Sequence, residues 1–418
     1  MSEPVSRPAS NYALAFIFIT MLVDTIGLGI IIPVTPKIIA QLTGEGLSDA
    51  ARWGGWLMFV FALMQFFCAP VIGNLSDRFG RRPVLILSLV ALSIDYTITG
   101  LAPTIAWLFA GRILSGMAGA TYPTVNAYIA DVSPPEKRAA NFGLTGAAFG
   151  VGFIIGPAIG GVVGDMFGPR MPFFVSAAVA IANALFGLLV LKESLPVERR
   201  RNFELWRANP IGSLFALRRY PMVFGLIGVM ILVRLAHDAN PATWTYYTML
   251  KFHWTSAQVG YSLMAVGALT AVSFGVLPRV VVPRIGEVNS VYVGFLCAAI
   301  GYAGYAFSAT PFQIYAWMLV WALAGIGNPA LNSIMSKQVP ANEQGELQGA
   351  VASLGSLTSI AAPVVMTSLF AYFTSASAPV YFAGASFLAA ALFEIGALGI
   401  FARTKPHAAL APARQAQT

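Results

Sequence analysis

The chain has 418 residues, of which 57% are apolar and 10% charged, with a mean hydropathy of +0.73 and a net charge of +8. A soluble domain carries about a quarter charged residues, so this composition excludes an ordinary soluble fold and points to lipid. The two cysteines, Cys68 and Cys297, fall in apolar runs and imply neither a disulfide framework nor a metal site.

Twelve apolar segments follow one another, at roughly 12–34, 53–73, 84–102, 105–130, 140–164, 171–191, 222–248, 258–278, 288–308, 311–335, 347–372 and 378–402. Each approaches the ~20 residues a helix needs to cross a bilayer. Helices satisfy their own backbone groups, so twelve membrane-spanning helices are expected. The first run is too long for a signal peptide and lacks a small-residue cleavage site, so it is expected to stay as the first span. Spans 1–6 define an N-terminal bundle (1–191), 192–220 a central loop, 221–403 a C-terminal bundle and 404–418 a tail. Within the loop, 203–206 is expected to form a short surface helix.

Basic residues set the orientation. With both termini cytoplasmic, the inner loops and tails hold nineteen Lys and Arg, the outer loops four (Lys37, Arg52, Arg170, Lys251), and Arg112 and Arg234 lie within spans. That asymmetry puts the termini and the central loop inside. The positive charge is accounted for by topology and anionic headgroups, and no nucleic-acid partner is expected.

Between spans 2 and 3 lies Gly73-Asn74-Leu75-Ser76-Asp77-Arg78-Phe79-Gly80-Arg81-Arg82-Pro83. So charged a hairpin cannot enter hydrocarbon. Asp77 is placed to pair with a nearby arginine and to cap an adjoining helix. Ser76, Asp77, Arg78, Gly80 and Arg81 are therefore read as a gating latch, or as a topology anchor alone. An offset of 206 carries Arg78, Gly80, Gly119, Pro123, Asn126, Pro134, Gly143 and Pro157 onto Arg284, Gly286, Gly325, Pro329, Asn332, Pro340, Gly349 and Pro363. Glycine and proline fix backbone geometry, so the match indicates a duplicated six-helix unit, a plan that places transport sites between repeats. In span 5, Gly152, Gly156 and Pro157 form either a hinge face or a tight packing seam.

Ionisable residues inside spans mark functional sites or structural pairs. Here they are Asp24, Asp95, Arg112, Arg234, His237, Asp238 and Glu394. At a rise of about 1.5 Å per residue, Asp24 and Asp95 fall roughly 20 and 17 Å from the inner face, and Arg112 about 10 Å below the outer one. Arg234 and Asp238 fall at roughly 18 and 24 Å. Such a shared depth suits a central cavity. Asp24 and Asp95 are candidate proton or cation sites, or else structural partners of Arg112. Arg234 and Asp238, four residues apart, are expected to pair, with His237 beside them as a titratable neighbour. Glu394 is expected to snorkel toward the inner interface. Trp244, Tyr246 and Tyr247 are candidate substrate contacts or an interfacial belt. No catalytic, metal-binding or nucleotide-binding constellation is present, so the chain is not expected to be an enzyme, and uphill transport would draw on an ion gradient.

The hairpin resembles the loop between helices 2 and 3 of major facilitator transporters. The motifs Asp24-Thr25-Ile26-Gly27-Leu28-Gly29, Ile94-Asp95-Tyr96, Gly111-Arg112-Ile113, Gly156-Pro157, Gly325-Ile326-Gly327-Asn328-Pro329 and Gly345-Glu346-Leu347-Gln348-Gly349 resemble the tetracycline–proton antiporters of that superfamily. The resemblance implies an all-α fold of twelve spans in two six-helix pseudo-repeats, in a bacterial inner membrane. It also implies export of a magnesium–tetracycline chelate in exchange for a proton, through alternating access. Spans 1, 4, 7 and 10 would line the cavity. Asp24 and Asp95 would be the essential embedded acids, Arg112 the arginine linked to coupling, and Ser76, Asp77 and Arg81 the gating hairpin. The drug site is expected to use Asp24, Asp95, Arg234, Asp238, Trp244 and Tyr247. No cofactor beyond protons is expected, magnesium entering only with the substrate, and the protein is expected to be a monomer. Two positions depart from the family pattern. Its span 9 aspartate falls at Ala298 and its span 8 histidine at Thr270, which makes Asp238 a candidate replacement acid. A proton-linked metabolite transporter and a non-transporting receptor are the other readings.

Overall fold

Residues 11–119, 121–201, 221–340 and 343–404 are described by the computed structural model, and their regular structure is helical throughout. The helices are α1 (Asn11–Ile31), α2 (Thr35–Thr43), α3 (Leu47–Phe79), α4 (Arg81–Leu101), α5 (Ile105–Ala118), α6 (Thr121–Val132), α7 (Pro135–Phe167) and α8 (Met171–Val190). After the loop come α9 (Pro221–His237), α10 (Ala239–Phe252), α11 (Ser256–Gly275), α12 (Leu277–Ile285), α13 (Glu287–Phe307), α14 (Pro311–Ala322), α15 (Gly327–Ser336), α16 (Gln344–Thr374) and α17 (Ala385–Arg403). The stretch expected as a surface helix at 203–206 lies outside the described residues.

Among the described residues, ten helical stretches are long and apolar enough to cross a bilayer, counting Pro311–Ser336 as one. The two other expected spans, 105–130 and 222–248, each fold as two shorter helices. Proline explains where they part. Pro123 has no N–H to give the Gly119 carbonyl, and Pro241 none for His237, so α5 gives way to α6 and α9 to α10. Span 10 breaks the same way: α14 passes through a 3-10 turn at Leu323–Ile326 before Pro329 lies in α15. The Gly119/Pro123 and Gly325/Pro329 breaks are related by the 206-residue offset, so the duplication is visible in the backbone. Other boundaries move outward. α3 and α7 run to 33 residues each, about 50 Å at the helical rise, longer than the hydrocarbon. The last span begins at Ala385, because 376–384 form turns, bends and irregular chain.

The described residues fall into two compact units, one reaching to residue 201 and including Thr248–Gly267, the other comprising 221–247 and Ala268 onward. In the first, α1 packs on α7 and α8, and α4 on α8 and α5. Its core joins Phe16, Ile17, Met21, Leu85, Val125, Tyr128 and Ile129. In the second, α13 and α9 pack on α17 around Leu226, Val229, Phe295, Leu331, Ile334 and Phe401.

The span 5 glycines make the α1–α7 seam. A Cβ on Gly152 would meet the Thr25 side chain at 2.7 Å, one on Gly156 the Ile26 carbonyl at 2.7 Å, and one on Gly160 the Ile30 carbonyl at 1.9 Å. Small residues at this spacing let the two backbones touch. Gly160→Ala is expected to lower stability by about 1–3 kcal/mol, the usual cost of overpacking. Gly146→Ala, where a Cβ meets nothing within 4 Å, should not. Thermal unfolding of the two purified variants checks the contrast.

Candidate functional site

The charged hairpin is held by a residue far away in sequence. α3 runs into Gly80, whose backbone (φ 108°, ψ 160°) turns the chain directly into α4. The first amides of α4 meet the Glu193 carboxylate. Its Oε1 accepts from Arg81 N–H at 2.8 Å, and its Oε2 from Arg82 N–H at 3.2 Å. Oε1 also takes the Ser194 and Leu195 amides, both at 3.0 Å. A carboxylate at a helix N-terminus is favoured by the orphan amides and by the helix dipole. The cap on α4 is thus Glu193, where the sequence had pointed to Asp77. Asp77 instead pairs with Arg81 Nη1 at 2.5 Å, and its carbonyl accepts from Arg201 N–H at 3.2 Å. Arg81 also donates to the buried Ser76 hydroxyl at 2.6 Å and to Asp131 Oδ2 at 3.2 Å. Ser76, Asp77, Gly80 and Arg81 are therefore brought together, whereas Arg78 is exposed and lies over the Phe79 ring. Glu193, Asp131 and Arg201 complete a cluster that ties the hairpin to the segment after span 6.

The two N-terminal acids have contrasting surroundings. Asp95, on α4, is fully buried and paired with Arg112 from α5. Its other oxygen accepts from Thr99 at 3.4 Å. Gly111 makes room for it, since a Cβ there would come within 2.3 Å of Oδ1, and the Arg112 guanidinium lies 5.9 Å from the Phe61 ring centroid. Asp24, on α1, has no such partner among the described residues: its Oδ1 is buried without a hydrogen bond. The Tyr96 hydroxyl is likewise buried and unpaired, and Tyr96 lies within electrostatic reach of Asp24, Asp95 and Arg112. Of these two acids, one is thus matched by an arginine and the other is not, and Tyr96 lies within electrostatic reach of both.

The span 7 residues fall differently from expectation. Arg234 is exposed and makes no ion pair with Asp238 among the described residues. Asp238 N–H still bonds the Arg234 carbonyl at 3.1 Å, so the helical spacing is kept, and the pair is not made because the Arg234 side chain is exposed. Asp238 Oδ1 lies 3.8 Å from His237 Nδ1, and its Oδ2 is buried without a partner. Trp244, Tyr246 and Tyr247 are buried, which overturns the interfacial-belt alternative. Trp244 and Tyr247 pack edge-on against Phe387, Trp244 also against Tyr305, and the Tyr247 hydroxyl donates to the Tyr305 carbonyl. Trp244 and Tyr247 are thus core packing in this structure, not an open binding wall. Glu394 also departs from expectation: it is 3% exposed rather than reaching an interface.

One further carboxylate joins helices within the first unit. Asp165, near the end of α7, accepts the Ser256 and Ala257 amides at 3.1 and 2.8 Å and so caps α11. Lys37 of α2 reaches the same group at 3.1 Å.

The Major Facilitator Superfamily family model matches residues 17–363. The tetracycline resistance protein of class C from Escherichia coli is 38% identical over 362 residues, 87% of this chain and 90% of that protein. The class B protein from the same organism is 32% identical over 371 residues, 89% and 90% of the two chains. Among solved structures, the nucleoside transporter NupG superimposes with a TM-score of 0.75 at 14% identity, covering 95% of this chain and 99% of that one, a likeness of fold.

Proposed function

The chain belongs to the major facilitator superfamily, in the family of the tetracycline resistance proteins, and is a multi-pass membrane transporter; on that premise we propose that it exports tetracycline, as a cationic metal chelate, in exchange for protons. The observation that supports this most directly is the pair of embedded acids in the first unit: Asp95 held by Arg112, and Asp24 with a buried oxygen that nothing satisfies. A buried carboxylate without a cation takes a proton or a positively charged guest. A proton and a cationic drug that compete for Asp24 displace one another, and that competition is the coupling. Arg112 keeps its own proton, so its part is to hold Asp95 in place and balance its charge.

In this reading transport proceeds by alternating access, using Asp24, Asp95 and Arg112 in the first unit and His237 and Asp238 in the second. The hairpin cluster around Arg81 is made and broken as the inner ends meet and part, and Gly152, Gly156 and Pro157 serve as the hinge. The protein works as a monomer in a bacterial inner membrane with both termini in the cytoplasm, and magnesium travels with the drug. Ala298 and Thr270, standing where the resemblance implies an acid and a histidine, favour a second reading in which the same machinery exports a different amphipathic drug.

The test is proton movement in vesicles containing the purified chain, driven in turn by tetracycline with and without magnesium and by other cationic drugs. Tetracycline-driven flux that needs magnesium supports the first reading. Flux with another drug alone supports the second, and drug binding without any flux rejects both in favour of a receptor.

A further inference from the structure

The second unit contains a pocket of its own, of about 370 Å³ counting the part open to the outside. Its walls include His237 from α9, Ala298 and Tyr302 from α13, Trp321 from α14, Asn328 from α15 and Glu394 from α17. Glu394 is 3% exposed, and its Oε2 is buried with no hydrogen-bond partner. An acid so enclosed has to be matched by a cation or by a proton, and no Lys or Arg lines the pocket. His237 and Tyr302 are the titratable groups that share the lining with Glu394. Tyr302 is within electrostatic reach of both Glu394 and Asp238, and Asp238 too has an unpaired buried oxygen. α16, which also packs on α17, carries only Glu346 and Tyr372 as titratable groups, at positions near its two ends.

We propose that Glu394 is a proton-carrying acid of the C-terminal half and that the pocket it shares with Ala298 is its proton site. The inference rests on the antiport reading and extends it. The acid that the resemblance places at 298 is supplied by α17, whose Glu394 lines the same pocket as Ala298. A protonated Glu394 is neutral and can sit unpaired. Its release requires a path to water, which the open side of the pocket offers, or a cationic guest in its place. Asp238, beside His237 but outside the lining, is then an auxiliary group and not the replacement itself.

Infrared spectra of the full chain in lipid, followed through a pH titration without any drug, give a readout independent of transport. The expected result is a titrating carboxylic-acid carbonyl band that Glu394→Gln removes and Glu394→Asp retains at a shifted frequency. In vesicles, Glu394→Gln should lose pH-gradient-driven drug uptake by about tenfold or more, the scale of a typical coupling free energy, while drug-for-drug exchange persists. The double variant Ala298→Asp/Glu394→Gln puts an acid on the opposite wall and should regain gradient-driven uptake, which also answers any concern that the single variant misfolds. A titrating band that is the same in wild type and Glu394→Gln overturns the proposal. If the wild type shows the band but moves no drug, the antiport reading fails and the proton site stands.

Discussion

Arg112→Met is expected to destabilise the protein by about 3–5 kcal/mol, the usual result of removing one partner from a buried ion pair. Asp95 is 0% exposed and Arg112 19%, so the abandoned carboxylate keeps only hydroxyl partners, Thr99 at 3.4 Å and Ser115. Water cannot take over the role of the guanidinium in so closed a place. The double variant Asp95→Leu/Arg112→Met removes both charges and should recover most of the lost stability, because replacing a whole buried pair by apolar groups is often neutral. Thermal unfolding in detergent ranks the three proteins. Transport then separates the two roles that the sequence left open for this pair. If the pair only supports the fold, the double variant transports; if Asp95 takes part in exchange, the double variant is stable and inactive. The second outcome is expected. A single variant as stable as wild type would show that the pair is not holding α4 to α5.

Much of this arrangement is legible from the residues. The twelve apolar runs, the charged hairpin and the repeat at an offset of 206 all depend on composition and on Gly and Pro, whose backbone demands are local. The helix breaks in spans 4 and 10 fall at the matched Gly119/Pro123 and Gly325/Pro329 for the same reason. What stays hidden depends on which face a residue presents and on partners far along the chain. Glu193 lies 112 residues from the Arg81 amide it caps, and nothing in its neighbourhood signals that role. Glu394 shows the first difficulty: α17 has apolar residues on all sides, so periodicity gives no preferred face, and depth alone suggested an interface. Arg234 and Asp238 show a third kind of failure. Their helical spacing is kept, Asp238 N–H bonding the Arg234 carbonyl, but the arginine side chain is exposed and the aspartate lies beside His237, and spacing alone does not tell where each side chain goes.

Gly80→Ala is expected to cost more than any other single glycine substitution in the hairpins, for two separable reasons. The conformation of Gly80, φ 108° and ψ 160°, belongs to a region that essentially only glycine enters, and another residue held there costs about 1–3 kcal/mol. A methyl group would also come within 2.2 Å of Glu193 Oε2 and 2.7 Å of its carboxyl carbon. It would therefore push away the group that caps α4, a further loss of about 0.5–2 kcal/mol. Gly286, its counterpart in the second unit, supplies the control. Its φ of 79° and ψ of 162° lie in the same region, yet a Cβ there meets nothing within 4 Å. Gly286→Ala should suffer the backbone strain alone, so the difference in unfolding temperature between the two variants isolates the displaced Glu193. Glu193→Ala should reproduce that difference by itself, and combining it with Gly80→Ala should add little, since the cap is already lost. Transport should fall in the same order, because Arg81, whose amide Glu193 holds, also gathers Ser76, Asp77 and Asp131. Equal effects at Gly80 and Gly286 would mean that the carboxylate yields freely and that the hairpin does not depend on it.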